Sequence, residues 1–385
     1  MREKKTEVQL HTENTKGRMA NMELLRCVSM LLVVALHFLG KGGALTDLTA
    51  ADMPAYGYCA WLLESLAIVA VNVYMLISGY FLVESSFQVK RVLQLLLQLW
   101  FYSIGVGAVA ALFGYLPEGG FGIHYLLMLC FPVSMNHYWF MSAYIFMYMF
   151  MPLLSAGVKK LEKKQFQTVL VLLLVAFSLI KSVVPARLEA DMQGYDCIWY
   201  MCVYLVAAYI RLYGIPFFKN KVRGLAVYLA SAIGIFGVTM LLRMLYLKTN
   251  NFGRILAVCY NYNHLLVLAA SIGLFSLFYH MQLKQGAFSR VVCKIAPYTL
   301  GVYLWHEHVA VRYEWQQWMY SVFGEVNSVG SLFGLLLISV IFVIVTGIVI
   351  DVIRKIMFVL LHRVLSYVAP YHKFCDFIEG LTIKK

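Results

Sequence analysis

Residues 21–40 form the first long apolar stretch, and it constrains the fold more than any other part of the chain. A helix of this length, at about 1.5 Å per residue, spans about 30 Å, the thickness of the hydrocarbon core of a bilayer. Arg26 and His37 lie eleven residues apart within this stretch. That spacing is about three helical turns, so both side chains project from one face with an axial separation of about 16 Å.

Ionisable groups inside a membrane are costly and usually face a cavity or a partner. The shared face of Arg26 and His37 therefore indicates a polar passage through this part of the protein. The alternative is that Arg26 extends to the inner membrane surface while His37 lies at the outer interface. The first helix alone does not separate these two interpretations.

Hydrophobic residues make up 62% of the chain and charged residues 13%, against about 25% charged residues in soluble domains. We therefore expect an all-α, polytopic membrane protein surrounded by membrane lipids. The net charge of +13 is explained by Lys and Arg in alternate loops, as the positive-inside rule predicts. The charge therefore gives no reason to expect a nucleic-acid partner.

The apolar segments predict about ten transmembrane helices with both termini in the cytoplasm, because the strongly basic loops fall on one side. The predicted spans are residues 21–40, 61–83, 89–113, a part of 122–154, 168–184, 197–213, 224–246, 255–279, 295–319 and 331–352. We predict a disordered cytoplasmic tail in residues 1–20, a membrane domain in 21–352 and an amphipathic cytoplasmic tail in 353–385.

The fourth predicted helix is the weak point of this topology. We expect a bent entry near Phe131 and Pro132, and dividing residues 122–154 into two short spans would reverse every later helix. The basic loops after the fourth, sixth and eighth helices argue against that division.

The cysteines and histidines do not form a metal-binding pattern. The eight cysteines fall mostly in apolar segments without a CxxC pair, so we interpret them as small core residues. His306, Glu307 and His308 are consecutive, which is not the HExxH spacing of a zinc helix. Consecutive side chains diverge on a helix, so the three cannot all meet one ligand. We predict no metal, with one of the two histidines facing the interior.

Other polar residues interrupt the second, fourth and eighth predicted helices. The second predicted helix contains Asn72, Ser78 and Gly79. These residues are explained either by close packing between helices or by a functional site. Trp139 fits either an aromatic belt at the membrane interface or a platform for a sugar ring. A polar cluster in the eighth helix fits either a rim or a substrate contact: Asn261, Asn263 and His264.

Four stretches resemble, in order, the motifs of the acyltransferase 3 family of integral membrane acyltransferases. The first is the Arg26 to His37 segment, which has ten residues between the Arg and the His. The others are VNVYMLISGYFL, YWFMSAYIFMYMFMP and YTLGVYLWHEH. They resemble the family's Ser-Gly-Phe/Tyr helix, its Trp-Phe-(Leu/Met)-Ser segment and its Tyr-Leu-x-His segment. The resemblance extends over about residues 21–352.

The resemblance implies an acyl donor, acetyl-CoA or another acyl-CoA, that enters from the cytoplasm of a bacterial cell. The acceptor would be a hydroxyl of a cell-envelope polysaccharide or lipid-linked saccharide at the outer face of the plasma membrane, and an oligomer is compatible with it. Residues matching the motifs take three roles by resemblance. These are catalysis by His37 and His306, donor binding by Arg26, Ser78 and Gly79, and acceptor binding by Asn72, Trp139 and Ser142.

The chain also departs from the family pattern. Asn72 stands where many members have Asp, and Tyr144 and Ile145 lie where a Glu often follows the Trp-Ser segment. The absence of the Glu after the Trp-Ser segment counts against a catalytic carboxylate at that position. A fused hydrolase-like domain, present in some members, is not evident, so we expect direct transfer to the saccharide.

The sequence leaves the chemical role of His37 and the protein class open. His37 is expected either to act as a general base on the attacking hydroxyl or to carry the acyl group itself. A flippase of lipid-linked sugars and a glycan polymerase or ligase without CoA are the rival classes. The longest predicted outer loop, about twenty residues, is short for a polymerase. Dependence on an acyl donor separates the three classes.

Overall fold

The computed structural model describes residues 19–116, 120–184 and 192–383. Helices make up 76% of the structure, and the described residues contain no strand beyond one antiparallel bridge between Phe87 and Ile383. Within this part, eight helices are long and apolar enough to cross a membrane. The predicted all-α membrane fold is confirmed, whereas the count of ten spans and the orientation of the termini stay predictions. Residues 1–18 and most of the outer loop predicted after residue 184 lie outside the described residues.

The described residues contain sixteen α-helices, which we number in chain order. Their bounds are α1 Ala20–Lys41, α2 Ala55–Ala67, α3 Ala70–Leu82, α4 Val89–Leu112, α5 Ile123–Cys130, α6 Trp139–Lys160, α7 Lys163–Leu174, α8 Ile180–Val183, α9 Cys197–Tyr213, α10 Lys221–Thr249, α11 Leu265–Tyr279, α12 Ala287–Ile295, α13 Thr299–His306, α14 Glu314–Phe323, α15 Val329–Leu365 and α16 Ala369–Gly380. Helices α2 and α3 together make one membrane-length segment of 28 residues.

Helix α1 crosses the bundle and is tied to other helices at both ends. The side-chain amide of Asn21 donates hydrogen bonds to the backbone carbonyls of Phe278 and Tyr279, at 3.0 and 3.2 Å. These carbonyls lie at the end of α11, where they have no acceptor role within the helix. At the other end, Gln316 of α14 donates to the His37 carbonyl at 3.2 Å. These contacts fix the depth of α1, and with it the positions of its polar residues.

Helices α3 and α9 pack closely around Gly79. A Cβ atom on Gly79 would lie 2.8 Å from the Cβ of Ala207 and 3.1 Å from the Cα of Tyr204. Only glycine allows this approach, because any side chain would push the two helices apart. The contact fixes the position of α3 against α9.

The fourth predicted span is broken into α5 and α6. Helix α5 has eight residues, about 12 Å at 1.5 Å per residue, and is too short to cross a membrane. Its carboxyl end is held by α4, because Trp100 donates to the Cys130 carbonyl at 2.8 Å and Ser103 to the Leu129 carbonyl at 2.9 Å. The bend expected near Phe131 is present, and α6 begins eight residues later at Trp139.

The ninth predicted helix, residues 295–319, was expected to be continuous, and this expectation was wrong. Helix α13 ends at His306, and α14 begins at Glu314. The polar groups at the break are bound elsewhere, because His308 donates to the Ser103 carbonyl at 3.0 Å and accepts from the Ala310 amide at 3.1 Å. These bonds to α4 and to the turn replace the helical pattern.

The carboxyl-terminal helices extend past the predicted membrane domain. Helix α15 has 37 residues, about 55 Å at 1.5 Å per residue, which exceeds a hydrocarbon core. The predicted domain boundary after residue 352 falls inside this helix. Helix α16 returns to the start of α4, where Lys90 and Glu379 form an ion pair at 2.6 Å and the Ile383 amide donates to the Phe87 carbonyl at 3.1 Å.

We expect reporter fusions placed after Lys164, Lys221 and Lys294 all to report the cytoplasmic side. The reason is that each follows a basic segment on the same predicted side, and such segments are retained in the cytoplasm. Alkaline phosphatase and fluorescent-protein fusions at the same residues give opposite readouts and so control for expression. Two periplasmic results among the three positions would contradict the topology.

Candidate functional site

A cavity of about 320 Å³ lies between α1, α3, α6 and α13. From α1 it is lined by Arg26, Met30, Val33, Leu36 and His37; elsewhere it is lined by Val71, Tyr74, Ser78, Leu95, Trp139, Phe140, Met141, Tyr144, Tyr262, Ala296, Pro297, Thr299, Leu300 and Tyr303. The residues on α1 follow the spacing of one helical face. Arg26 and His37 therefore share this cavity, as their spacing in the sequence indicated.

His37 contacts His306 inside the protein, and the hydrogen bonds determine where the protons lie. His306 Nδ1 lies 2.6 Å from the Val302 carbonyl oxygen, which can only accept, so Nδ1 carries the proton. In neutral His306 the Nε2 atom is then an acceptor, and it lies 2.8 Å from His37 Nδ1. His37 Nδ1 must therefore donate to it. This network leaves the lone pair of neutral His37 on Nε2.

Glu307 adds a carboxylate to this pair. Its Oε2 atom lies 3.2 Å from His37 Nδ1 and forms an ion pair with Lys41, and its Oε1 atom lies 3.6 Å from Arg312. The carboxylate is buried, so the two cations compensate a charge that would otherwise be costly. Glu307 can hold the Nδ1 proton of His37 and stabilise an imidazolium. Glu307 was not predicted as a site residue; its position between two histidines in the sequence was the available signal.

The position of Glu307 depends on a second histidine pair that does not reach the cavity. The Val309 amide donates to His137 Nε2 at 3.0 Å, and His137 Nδ1 lies 3.2 Å from the Ser103 hydroxyl. His308 Nε2 donates to the Ser103 carbonyl at 3.0 Å. The His137 and His308 rings are buried, and both nitrogens of each ring are hydrogen-bonded. They therefore hold the chain in place after α13, and neither has a nitrogen available as a base.

The opposite end of the cavity carries Arg26. Its Nη1 atom donates to Glu23 Oε2 at 2.5 Å, and its carbonyl accepts from the Tyr74 hydroxyl at 2.8 Å. Ser78 and Tyr144 also line the cavity. A guanidinium has five N–H donors, so the bond to Glu23 leaves others for an anion.

An aromatic cluster forms the wall at Trp139. The Trp139 ring stacks on Tyr262 with centroids 5.6 Å apart, and Tyr195 lies 4.5 Å from Trp139. Asn72 donates to the Tyr262 carbonyl at 2.8 Å and accepts from Trp199 at 2.9 Å. Tyr262 was not predicted as a site residue. It lies between Asn261 and Asn263, in the polar cluster just before α11.

The sequence profile of the acyltransferase 3 family, described as an acyltransferase domain, matches residues 19–353. The chain belongs to the acyltransferase 3 family. It is therefore an integral membrane acyltransferase, as the four motifs indicated. Searches of curated proteins and of solved structures returned no match to the chain.

Some residues of the family motifs line the cavity, and others lie behind its wall. Arg26, His37, Ser78 and Trp139 line the cavity, and His306 lies behind His37 as its hydrogen-bond partner. The remaining three predicted site residues lie outside the cavity wall and make scaffold contacts: Asn72 with Tyr262 and Trp199, Gly79 with α9, and Ser142 with the Val133 carbonyl at 3.0 Å. A binding role for these three stays a prediction from the family resemblance.

The protein also brings three residues that could ligate a metal close together. One nitrogen each of His37 and His306 and a carboxylate oxygen of Glu307 lie within 4.8 Å of one another. His308, in contrast, belongs to the second histidine pair with His137, so the three consecutive residues do not all meet at one place. Lys41 and Arg312 already face Glu307, and such positive charge opposes a cation at this place. The absence of a metal stays a prediction from the sequence.

Proposed function

We propose that this acyltransferase moves an acetyl or other short acyl group from acyl-CoA to a hydroxyl of a cell-envelope glycan or its lipid-linked precursor. The observation that carries the proposal is the orientation of His37. The residue lines the cavity, and its Nδ1 proton is held by His306 and Glu307 while Nε2 keeps a lone pair. A base oriented by a second group is the arrangement that activates hydroxyl nucleophiles.

The donor substrate fits the direction of the cavity. Arg26 lies about 16 Å along α1 from His37, and a pantetheine arm is a thin chain of comparable length. A guanidinium suits phosphate oxygens because its N–H groups form a planar fork. With CoA phosphates near Arg26, the thioester would reach the region of His37.

The transfer step then needs one base and no further reactant. The acceptor hydroxyl oxygen bonds to the thioester carbon while His37 Nε2 takes its proton. When the carbon–sulfur bond breaks, the CoA sulfur leaves with the bonding pair and receives that proton. The Glu307 carboxylate, 3.2 Å from His37 Nδ1, stabilises the imidazolium between these two events.

The aromatic cluster supports a saccharide acceptor. Trp139 lines the cavity together with His37, and its stacking on Tyr262 fixes the orientation of its ring. Aromatic faces of this kind provide rigid apolar area for the ring carbons of a sugar. An acceptor that enters past Trp139 would present a hydroxyl near His37.

The test is incubation of the purified protein in lipid vesicles with radiolabelled acetyl-CoA and candidate envelope glycans. We expect label to move from CoA to the glycan, and free CoA to appear in equal amount. Glycan movement across the vesicle membrane without CoA would instead indicate a flippase. A covalently labelled protein trapped without acceptor would show that His37 or another group carries the acyl chain.

We expect Arg26→Lys to weaken donor binding by about tenfold, because the charge remains but the fork that matches a phosphate is lost. Calorimetric titration of the detergent-solubilised protein with CoA measures the effect. Arg223→Lys is the matched control, since Arg223 lies on the same predicted side and donates to the Phe217 carbonyl. Unchanged CoA affinity in a folded Arg26→Ala protein would show that Arg26 does not bind the donor.

A further inference from the structure

The amino-terminal turn of α6 opens onto the cavity without a capping group. Helix α6 has 22 residues and begins at Trp139 with no side-chain cap. Its first helical hydrogen bond is donated by the Ser142 amide to the Tyr138 carbonyl at 3.0 Å. Among the described residues, no backbone carbonyl accepts a hydrogen bond from the amides of Trp139, Phe140 and Met141, and all three residues line the cavity.

The Tyr303 hydroxyl is a further donor at the same place. Tyr303 is 6% exposed and lines the cavity, and its buried O–H donates to no acceptor among the described residues. Its ring packs on Phe140 with centroids 5.6 Å apart, and the Phe140 backbone amide is directed at its hydroxyl oxygen. Buried hydroxyls normally find partners, so this one is available to a bound group.

Tyr303 and His37 are held by the same short helix. Tyr303 lies on α13 one turn before His306, with ring centroids 6.2 Å apart. His306 in turn contacts His37, with ring centroids 5.0 Å apart. The base and the hydroxyl therefore have a fixed spatial relation, and the Phe140 ring that packs on Tyr303 belongs to the first turn of α6.

We propose that the Tyr303 hydroxyl and the first-turn amides of α6 form an oxyanion-binding site for the carbonyl oxygen of the thioester. The inference rests on the proposed acyl transfer. As the acceptor oxygen bonds to the thioester carbon, the carbonyl π electrons move to oxygen, which becomes negatively charged. The Tyr303 O–H and the α6 amides of Trp139 and Met141 donate to this oxygen. When the carbon–sulfur bond breaks, the electrons return and the carbonyl of the new ester forms.

The positive end of a helix dipole and oriented backbone amides favour such a charge, and they need no rearrangement when it develops. The tyrosine hydroxyl is the only part of this arrangement that a side-chain substitution can remove. Because its O–H donates to no acceptor in the described part of the protein, its removal should leave the fold intact.

The first test is the kinetics of Tyr303→Phe. We expect kcat to fall by about 10²–10³-fold, the usual effect of removing one oxyanion donor, while KM for the donor rises by no more than about tenfold, as for the loss of one ground-state hydrogen bond. Tyr200→Phe is the matched control. Tyr200 is also buried with an unpartnered hydroxyl and packs on Phe140 with centroids 5.6 Å apart, but it lies outside the cavity wall. It should retain full activity.

The second test measures binding without turnover. The acetonyl thioether of CoA keeps a carbonyl oxygen and cannot be cleaved, whereas the propyl thioether lacks that oxygen. We expect the wild-type protein to bind the acetonyl compound about tenfold more tightly, as for one added hydrogen bond. Tyr303→Phe should lose this preference and keep its affinity for the propyl compound.

The outcomes separate this inference from the proposed function. Normal kcat in Tyr303→Phe, or equal wild-type affinity for the two thioethers, would overturn the oxyanion site while donor binding stands. If neither thioether binds the wild-type protein, the acyl-CoA donor is wrong, and the inference fails with it.

Discussion

Replacement of His37 by Gln is expected to reduce acyl transfer by about 10²–10⁴-fold, the usual loss when a general base is removed. The substitution is informative because Gln can still donate an N–H to His306 Nε2 and to Glu307. What it cannot do is take a proton from a hydroxyl. The contacts of the site are thus kept while the base is lost, so CoA affinity and expression should stay close to normal.

The measurement is single-turnover transfer of labelled acetyl groups at saturating donor. His280→Gln serves as the matched control, because His280 lies at the end of α11 and bonds to the Phe218 carbonyl at 3.0 Å, outside the cavity. Near-normal transfer by a folded His37→Gln protein would make His37 an interface histidine. His306 would then become the leading candidate for the base.

Replacement of Glu307 by Gln is expected to have the second large effect. The side chain keeps its size but loses its charge, so the imidazolium of His37 loses its stabilising partner. We expect kcat to fall by about 10²–10⁴-fold, with little change in KM for the donor. Glu307 is a positioning residue in this account, and the separation of kcat from KM is the signature of that role.

Stability must be measured beside activity, because Lys41 is left without its buried partner. Removing one member of a buried ion pair typically costs about 3–5 kcal/mol of unfolding free energy. The double variant Lys41→Met with Glu307→Gln removes both charges and should recover much of that loss. It should remain inactive, since His37 still lacks the carboxylate. Recovery of activity together with stability would show that Glu307 acts only through folding.

Part of the site follows from local sequence alone. The eleven-residue spacing of Arg26 and His37 places them on one face of any helix, because helical periodicity acts between near neighbours. The cost of ionisable groups in a membrane then directs that face to a cavity. The bend before Trp139 was expected for the same kind of reason, since a proline interrupts the local hydrogen bonding of a helix.

Other features arise only from contacts between distant parts of the chain. The ninth predicted helix breaks after His306 because partners on α4 and in the α5–α6 connection bind His308 and the Val309 amide. Gly79 faces α9 rather than the cavity because Ala207 and Tyr204 approach its backbone. The residue pattern of a single helix does not show which distant residues will contact it.

The cavity shows the same division between local and distant effects. Hydropathy, loop charge and helical spacing specify an all-α membrane protein and the face that carries Arg26 and His37, because these signals act within one segment. The partner of His37 lies 269 residues away in the sequence. Its proton position depends on that contact, and Glu307 and Tyr303 acquire their roles only from the break and the packing of α13. Such contacts depend on how separate helices pack, and a single segment does not encode them.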